Sequence, residues 1–285
     1  MSCCDSEKIE GMQSVVSAIR SKRSRQKRNE KNKKFYIESY VANKIDGFTR
    51  DAILIIPGGG YTEVCAEREG EPIALEFLPR GYNAFVLHYS VGGEIFPRQL
   101  SEASKALIYI KENSEKFNIN PERVFVIGFS AGGHLAAALG TMPNATNEIC
   151  EEEKIDCSIA GIMLIYPVIT PKYTKGVFCN MLNNKNPTFE DLSICDILNY
   201  VSKKSSPAFI VHTSNDEIVD VRNSLALANA YAKNNIQFEL HIFPDAPHGI
   251  ALGNEITKCG VDKWCNKRIA KWMENAVSWA RSIKK

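Results

Sequence analysis

The segment VIGFSAGGHLAAAL, residues 126–139, decides the fold. It begins with an apolar run, continues with the pattern G-x-S-x-G around Ser130, and ends in an alanine-rich stretch. This order predicts a strand, a sharp turn and a helix, which is the context of a nucleophile elbow. We expect the turn to hold Ser130 in a strained backbone conformation, for which Gly128 and Gly132 leave space. A tight structural turn between a strand and a helix is the alternative interpretation.

The start of the helix after Ser130 adds a second argument for chemistry at this turn. Its first backbone N–H groups and the positive end of its dipole point to the turn, where they stabilise negative charge. A serine becomes a strong nucleophile only when a base takes its proton and an acid orients that base. The sequence should therefore hold a histidine and a carboxylate that serve Ser130.

His248 is the predicted base among five histidines. Hydrolases with this elbow have the chain order serine, acid, histidine. Three histidines precede any candidate acid and are excluded as the base: His88, His134 and His212. His241 lies within an alternating strand pattern and is expected at the surface. His248 follows that strand in a loop, from which its imidazole can reach the serine. His134, four residues after Ser130, is expected to support the helix structurally.

Asp216 is the predicted acid. It lies four residues after the buried run FIVH (209–212), at the carboxyl edge of the sheet where such folds place ligands and catalysis. Glu217 and Asp220 are the alternatives. A solvated loop carboxylate or a helix N-cap is the structural interpretation of all three, and Asp220 suits the cap of the next helix. Asp245 is too close in sequence to the histidine to be the usual orienting acid.

The stretch PGGGY, residues 57–61, follows an early apolar strand and predicts a loop of backbone hydrogen-bond donors. Negative charge on a carbonyl oxygen needs two or three such donors and no blocking side chain. We expect the N–H groups of Gly59, Gly60 and Ala131 to form this oxyanion hole. The stretch is not a phosphate-binding loop, because no Lys-Ser/Thr pair follows and its spacing fails G-x-G-x-x-G. Since no His, Cys and carboxylate cluster has zinc spacing, we expect no metal and no cofactor.

From residue 35 onward, short apolar runs alternate with helical patterns. This alternation predicts the α/β class, with a mostly parallel central sheet and helices on both of its faces. The first and last runs alternate apolar and polar residues, as strands near a sheet edge do. The predicted strands are Phe35–Val41, Ala52–Ile56, Ala84–Tyr89, Arg123–Ile127, Ile159–Ile165, Ala208–His212 and Ile236–Ile242.

Apolar spacing predicts helices over residues 72–81, 100–117 and 264–283. Asn120 and Pro121 are expected to turn the chain into the next strand. Residues 168–206 interrupt this rhythm, because they are rich in Asn, Lys, Pro and Thr and lie where a compact crossover would suffice. A structureless connection of that length is usually functional or inserted, so we expect a small cap or lid over the active site.

The composition is that of a soluble globular protein, with 44% hydrophobic and 24% charged residues in a chain of 285. No apolar run approaches the roughly 20 residues of a membrane-spanning helix. The net charge of +2 is unevenly distributed, because residues 1–34 carry ten Lys/Arg against four Asp/Glu. We therefore predict a basic N-terminal segment, residues 1–34, and a catalytic domain, residues 35–285.

The basic segment allows three interpretations. A solvated tail fits its composition, and an amphipathic helix that docks on the body or on a second subunit fits the apolar spacing from Ile9 to Ile19. A nucleic-acid or anionic-membrane patch is disfavoured, because no aromatic residue interleaves the charges before Phe35. We expect no nucleic-acid partner and leave a homo-oligomer open.

The N-terminus and the cysteines predict the compartment. No apolar region with a small-residue cleavage site occurs in the first thirty residues, so a secretory signal is not expected. Nine cysteines without C-x-x-C spacing indicate reduced, mostly structural thiols. These features predict a cytoplasmic protein.

Six motifs together resemble the α/β-hydrolase serine esterases, in particular the lipase/esterase and acetyl-xylan esterase-like group. They span most of residues 50–255, and the form GFSAGGH is far more specific than G-x-S-x-G alone. The motifs are PGGGY (57–61), REGEP (68–72), LHYSV (87–91), GFSAGGHLA (128–136), SNDEIV (214–219) and PHG (247–249).

This resemblance implies the α/β-hydrolase fold and the hydrolysis of short acyl esters, often acetyl groups on carbohydrates. Two residues depart from the family pattern. Asp220 stands where a proline often follows the DxxV pattern, and Pro57 replaces the histidine of HGGG. Both departures leave the shape of the acyl pocket open. Arg68 and Glu69 are expected either to line the mouth of the site or to form a surface ion pair.

The sequence therefore predicts a serine esterase that acts on a small-molecule ester through Ser130, His248 and Asp216. An acyl-enzyme forms, and water activated by the histidine releases the acid. An arylformamidase- or peptidase-like amide hydrolase would use the same three residues and is the alternative. A non-catalytic binding protein on this fold is less favoured.

Overall fold

The structure is a computed structural model that describes residues 35–93, 96–142 and 157–284. The predicted basic segment, residues 1–34, lies outside the described residues. One sheet of seven strands organises the described chain. The strands are β1 (Tyr36–Tyr40), β2 (Arg50–Ile56), β3 (Tyr82–His88), β4 (Ile119–Phe129), β5 (Gly161–Ile165), β6 (Ala208–Thr213) and β7 (Phe238–Phe243).

The strands lie in the order β1-β3-β2-β4-β5-β6-β7. β1 runs antiparallel to β3, and every other neighbouring pair is parallel. Parallel strands need long crossovers, which here bring helices onto both faces and bury the inner strands. The predicted α/β class with a mostly parallel sheet is confirmed, although several strands begin or end at other residues than predicted.

Nine α-helices are assigned within the described residues, and the larger ones cover the two faces of the sheet. They are α1 (Ala66–Glu69), α2 (Glu71–Phe77), α3 (Arg98–Glu112), α4 (Ser114–Phe117), α5 (Ser130–Thr141), α6 (Lys175–Met181), α7 (Phe189–Cys195), α8 (Arg222–Lys233) and α9 (Trp272–Ser282). Apolar residues of α3, α5 and α8 pack on one face, and those of α2 and α9 pack on the other.

Strand β2 illustrates why the core has two halves. Successive side chains of a strand point to opposite faces. Ala52, Leu54 and Ile56 accordingly belong to the cluster under α5, while Ile53 and Ile55 belong to the cluster under α9. All five are fully buried. Each fully buried large aliphatic side chain contributes about 1.5–3 kcal/mol, so this strand anchors both layers.

Asn120 and Pro121 lie within β4 rather than in a turn before it. The pairing of β2 with β4 shifts register between two residues, since Arg50 faces Ile119 whereas Ala52 faces Val124. The intervening residues of β4 are accommodated as an irregularity in the strand. The predicted turn is therefore wrong, and a local bulge takes its place.

The last helix begins at Trp272, not at Trp264 as predicted. Trp264 lies in a short 3₁₀ turn, and its indole Nε1 donates to the carbonyl oxygen of His248 at 3.1 Å. Asn266 accepts from the backbone N–H of Ile269, at the start of a second 3₁₀ turn before α9. Trp264 thus fits the apolar spacing of the helix by sequence, but it contacts the loop after β7 instead of belonging to a helical face.

Residues 168–206, the predicted cap, contain the two short helices α6 and α7 instead of a structureless connection. Thr188 begins α7 with a capping box, because its hydroxyl accepts from the backbone N–H of Asp191 and the Asp191 carboxylate accepts from the N–H of Thr188. Phe178 and Met181 of α6 are buried in the same apolar cluster as α5. The stretch is therefore packed onto the body of the domain.

Three sequence expectations concern thiols, membranes and metals. Five cysteines of the described chain are free, but Cys157 is disulfide-bonded, so the expectation of reduced thiols is wrong for this residue. No helix in the three described ranges is long and apolar enough to cross a membrane. Within the same ranges, no group of three His, Cys, Asp or Glu residues is arranged to hold a metal ion.

Candidate active site

Ser130 occupies the sharp turn between β4 and α5. Its φ of 51° lies in the left-handed region, which non-glycine residues adopt mainly where their surroundings impose it. A Cβ on Gly128 would lie 2.2 Å from the carbonyl oxygen of Gly132, and a Cβ on Gly132 would lie 2.2 Å from that of Ile56. The chain therefore packs too closely for a side chain at either glycine, as the elbow pattern predicts.

The structure brings the three predicted side chains together at the carboxyl edge of the sheet. Ser130 follows β4, Asp216 follows β6 and His248 follows β7. The Nε2 atom of His248 lies 2.9 Å from Ser130 Oγ, and its Nδ1 atom lies 2.7 Å from Asp216 Oδ2. An ionised carboxylate only accepts, so Nδ1 carries the proton and Nε2 accepts from the serine hydroxyl. This is the tautomer that a general base for serine needs.

Asp216 receives hydrogen bonds on both carboxylate oxygens. Oδ1 accepts from the backbone N–H groups of Ile218 at 2.9 Å and Val219 at 2.8 Å, while Oδ2 faces His248. Burial acts to raise the pKa of Asp216, but hydrogen bonds from His212 and His248 and the charge of His248 outweigh it and hold this pKa below its ordinary value. The carboxylate is therefore ionised and fixed in orientation.

His212 is a second histidine on the same carboxylate, which sequence reasoning missed. Its Nε2 atom lies 2.8 Å from the carbonyl oxygen of Val219 and 3.4 Å from Asp216 Oδ2. Because the carbonyl can only accept, Nε2 carries the proton, and the Ser224 hydroxyl donates to Nδ1 at 2.7 Å. A histidine within a buried strand, four residues before a candidate acid, is the signal that could have identified this support.

The predicted oxyanion loop follows β2. Gly59 and Gly60 have positive φ values of 123° and 62°, and a Cβ on Gly59 would lie 2.2 Å from the carbonyl oxygen of Glu63. The Gly59 carbonyl accepts from the N–H groups of Thr62 and Glu63. In the described part of the chain, the N–H groups of Gly59 and Gly60 donate to no protein group. Ala131 lies in the first turn of α5, whose N–H groups have no partner within the helix.

His134 joins the oxyanion loop to the predicted cap. Its Nε2 atom lies 2.8 Å from the carbonyl oxygen of Cys195, and its Nδ1 atom lies 2.9 Å from the hydroxyl of Tyr61. Nε2 therefore carries the proton, and Tyr61 donates to Nδ1. Burial lowers the pKa of His134 to about 4, against the opposing effect of the bond to Cys195. A neutral, buried His134 agrees with the structural role expected for it.

Glu69 is not part of a surface ion pair, contrary to one of the two expectations. It is only 4% exposed. Its Oε2 atom accepts from the backbone N–H of Gly58 at 2.8 Å, and its Oε1 atom accepts from the hydroxyl of Tyr166 at 2.7 Å. Burial raises the pKa of Glu69, while the bonds from Tyr166 and Gly58 lower it. Tyr166, directly after β5, was not singled out from the sequence, although its position at the carboxyl edge is a signal for it.

Arg68 and Trp264 hold the loop that carries His248. The guanidinium of Arg68 stacks over the Trp264 ring at 3.8 Å and donates to the carbonyl oxygen of Gly249. Its Nε atom also donates to the carbonyl oxygen of Thr257 at 3.2 Å. Since Trp264 in turn donates to the carbonyl of His248, both side chains restrain the backbone at the histidine.

The alternative acids lie apart from the histidine. Glu217 is exposed. Asp220 pairs with the guanidinium of Arg222 at 2.5 Å and accepts from its backbone N–H at 2.8 Å, at the start of α8. Among the carboxylates at 216–220, Asp216 is the one whose contact with His248 the structure records.

These contacts define what the site can do chemically. A histidine that accepts from a serine hydroxyl can take its proton while the oxygen attacks a carbonyl carbon. An ionised carboxylate on the other ring nitrogen stabilises the imidazolium that results. Backbone N–H groups without protein partners can hold the oxyanion. The arrangement suits acyl transfer from an ester or an amide.

Comparisons with known proteins identify the family of the chain. The BD-FAE family model matches residues 40–231, and the dienelactone hydrolase family model matches residues 194–280. The chain is 36% identical over 216 residues to endo-1,4-beta-xylanase B of Butyrivibrio fibrisolvens, covering 74% of this chain and 34% of that protein. It is 28% identical over 212 residues to acetylxylan esterase of Xylanibacter ruminicola, covering 71% and 41%. The chain thus spans well under half the length of these relatives.

Solved structures resemble the chain over most of their own length. The acetyl ester-xyloside bifunctional hydrolase from Caldicellulosiruptor lactoaceticus has a TM-score of 0.75 at 34% identity, covering 87% of this chain and 88% of that one. The carboxylesterase Cest-2923 from Lactobacillus plantarum WCFS1 has a TM-score of 0.77 at 27% identity, covering 87% and 92%. The predicted α/β-hydrolase fold and the predicted resemblance are thereby confirmed. Because its family model matches more than half of the residues, the chain belongs to the BD-FAE family of α/β-hydrolases.

Proposed function

We propose that the protein is a serine esterase that cleaves short-chain carboxylic esters. One observation carries the proposal: a continuous hydrogen-bonded line runs from Ser130 Oγ through the ring of His248 to Asp216, with distances of 2.9 and 2.7 Å. The N–H groups of Gly59 and Gly60, which have no partner among the described residues, lie beside it, because the preceding Gly58 approaches the serine so closely that a Cβ would be 3.0 Å from Ser130 Cβ. These contacts support the assignment of Ser130 as nucleophile, His248 as base and Asp216 as orienting acid, with the N–H groups of the loop as oxyanion donors.

In the proposed reaction, His248 Nε2 takes the hydroxyl proton while Ser130 Oγ attacks the ester carbonyl. The carbonyl oxygen becomes an oxyanion, which accepts from the N–H groups of Gly59, Gly60 and Ala131. The imidazolium then gives its proton to the departing alcohol, and an acyl-enzyme remains on the serine. Water loses a proton to His248, attacks the acyl carbon and releases the acid. Asp216 keeps the imidazole in the productive tautomer throughout.

We propose acetyl esters of carbohydrates as the substrate class. Two similar proteins support this choice by their names, an acetylxylan esterase and an acetyl ester-xyloside hydrolase. In this chain, Asn180 of α6 donates to the carbonyl oxygen of Gly60 at 3.1 Å, so the stretch 168–206 contacts the oxyanion loop directly. We propose that this stretch is the cap. We also propose that, because it contacts the loop beside the oxyanion donors, the space left there fits a short acyl group.

A substrate series tests both the chemistry and the size of the acyl group. The parent protein and Ser130→Ala are assayed with p-nitrophenyl acetate, butyrate and octanoate, with acetylated xylose, and with p-nitroacetanilide as the matched amide. We expect the highest kcat/KM for acetate, release of acetate from the sugar, and a loss of at least about 10⁴-fold in Ser130→Ala.

Three results would each contradict one part of the proposal. Hydrolysis by Ser130→Ala at the parent rate would refute the serine mechanism. A higher kcat/KM for octanoate than for acetate would exclude the short acyl site. Faster hydrolysis of the amide than of the ester would favour the amide hydrolase instead.

A further inference from the structure

Glu69 is a buried carboxylate that the proposed chemistry does not use. Both of its oxygens accept hydrogen bonds, from the N–H of Gly58 at 2.8 Å and from the hydroxyl of Tyr166 at 2.7 Å. The N–H of Gly58 can only donate. The Tyr166 oxygen already accepts from the backbone N–H of Ala251 at 3.0 Å, so its own proton is directed to Glu69. Both partners therefore suit an ionised carboxylate without a proton of its own.

The same two bonds connect Glu69 to each segment of the site. Gly58 directly precedes the oxyanion donor Gly59, and a Cβ on Gly58 would lie 2.9 Å from Glu69 Oε2 and 3.0 Å from Ser130 Cβ. The ring of Tyr166 stands edge-on to the ring of His248, with 4.9 Å between their centroids. Glu69 thus lies between the oxyanion loop and the aromatic ring that packs against the histidine.

Five titratable groups lie close enough to Glu69 to interact with its charge. These groups are Tyr166, Tyr89, Cys65, Arg68 and His248. Arg68 is occupied by carbonyl oxygens and by the Trp264 ring. Because Ser130 and Glu69 are buried, a negative charge near the histidine is weakly screened and favours the imidazolium that forms during the reaction.

We propose that Glu69 is a positioning residue that fixes the oxyanion loop through Gly58 and orients His248 through Tyr166, and that its charge stabilises the imidazolium. This inference rests on the proposed serine mechanism. Asp216 supports the histidine from one side, and Glu69 supports it from another through the tyrosine ring. Preorganised dipoles and charges of this kind act on the transition state more than on substrate binding.

Two substitutions separate the charge of Glu69 from its geometry. In Glu69→Gln the shape is kept, but the amide has one accepting oxygen and one donating group, so either Gly58 or the Tyr166 proton loses its acceptor. In Tyr166→Phe the ring against His248 is kept and the carboxylate is still present, but the hydroxyl link is removed.

The chain offers a matched control for each variant. Glu102 is also 4% exposed and accepts from a backbone N–H at 2.7 Å and a hydroxyl at 2.6 Å, both belonging to Ser90. Glu102 also pairs with Arg98, whose Nε lies 3.2 Å from Oε1, so Glu102→Gln removes a buried carboxylate with the same two kinds of hydrogen-bond donor and one ion pair in addition. Tyr231→Phe removes a buried hydroxyl that donates to the carbonyl oxygen of Ser206 at 3.1 Å.

The experiment measures kcat, KM and the pH dependence of kcat/KM for p-nitrophenyl acetate, with circular dichroism as the folding check. For Glu69→Gln we expect kcat to fall by about 10- to 100-fold and KM to change by less than about threefold. The acid limb of kcat/KM moves to lower pH, because the imidazolium loses a neighbouring negative charge. For Tyr166→Phe we expect a smaller loss of kcat and an unmoved acid limb. Both control variants keep the parent kcat and the parent acid limb.

The outcomes distinguish this inference from the proposed function. If folded Glu69→Gln keeps the parent kcat and acid limb while Ser130→Ala is inactive, the role of Glu69 is refuted and the serine mechanism stands. An equal loss of kcat in Glu102→Gln would also refute it, because a general effect of removing a buried carboxylate would then explain the result. If Ser130→Ala keeps the parent rate, the serine mechanism fails and the role of Glu69 fails with it.

Discussion

Replacing Asp216 with asparagine reverses the proton pattern of the site while preserving the shape of the side chain. Oδ1 of Asp216 accepts from the N–H groups of Ile218 and Val219, so the asparagine oxygen must stay on that side. The amide NH₂ then occupies the position of Oδ2, 2.7 Å from His248 Nδ1. Two donors cannot face each other, so the histidine proton moves to Nε2. In that tautomer Nε2 no longer accepts from Ser130.

The size of the effect follows from the lost tautomer. A base with its proton on the wrong nitrogen lowers kcat by about 10⁴-fold, which corresponds to about 5.4 kcal/mol of transition-state stabilisation. The side chain of Asp216 is fully buried behind the histidine, so direct contact with the substrate is not expected and KM should change little. The result should therefore be a loss confined almost entirely to kcat.

Steady-state hydrolysis of p-nitrophenyl acetate at neutral pH measures this loss. Asp220→Asn and Glu217→Gln are the matched controls, because they alter the other two carboxylates of the same loop and should keep the parent kcat. The reasoning is refuted if Asp216→Asn retains kcat within about tenfold of the parent, or if either control loses as much activity.

Two further predictions concern residues around the hydrogen-bonded line from Ser130 through His248 to Asp216. Burial lowers the pKa of His134 to about 4, below the unfolded value of about 6.5, so the folded state disfavours the protonated histidine. The free energy of unfolding therefore falls as the pH drops from 6.5 towards 4, by about 3 kcal/mol in total. His134→Gln should lack this component in urea unfolding; an identical pH dependence in both proteins would contradict the assignment. Gly59→Ala should lower kcat by about 10²-fold or prevent folding, because the new Cβ meets the Glu63 carbonyl at 2.2 Å. Gly47→Ala, at a positive φ with open space around it, should keep the parent kcat, and a Gly59→Ala protein as active as this control would oppose the role of the loop.

The features that can be predicted well from the sequence are those that local chain geometry determines. The elbow at Ser130 is recognisable because a strand, two obligatory glycines and a helix follow each other within one short segment. His248 and Asp216 could be located because the carboxyl ends of parallel strands meet at one edge, so loops after different strands are brought together. The period of apolar residues likewise indicates most strands and both helical layers.

The features that could not be predicted from the sequence depend on contacts between distant segments. Tyr166 and Glu69 are 97 residues apart, and they meet because β4 pairs with both β2, which precedes Glu69, and β5, which precedes Tyr166. His212 fits a strand pattern, and nothing in its local sequence indicates that its ring contacts Asp216. Trp264 fitted a helical period although an indole–carbonyl bond and an arginine determine its position. Side-chain partners of this kind are set by sheet order rather than by local propensity.

Covalent labelling of Ser130 by a fluorophosphonate tests the central claim most directly. The reagent phosphonylates a serine oxygen only where a base activates it, and peptide mass spectrometry identifies the modified residue. We predict one label per chain, on Ser130, with esterase activity lost in proportion to labelling and no labelling in Ser130→Ala or His248→Ala. Full esterase activity after complete labelling of Ser130, or a label on another residue that abolishes activity, would contradict the account.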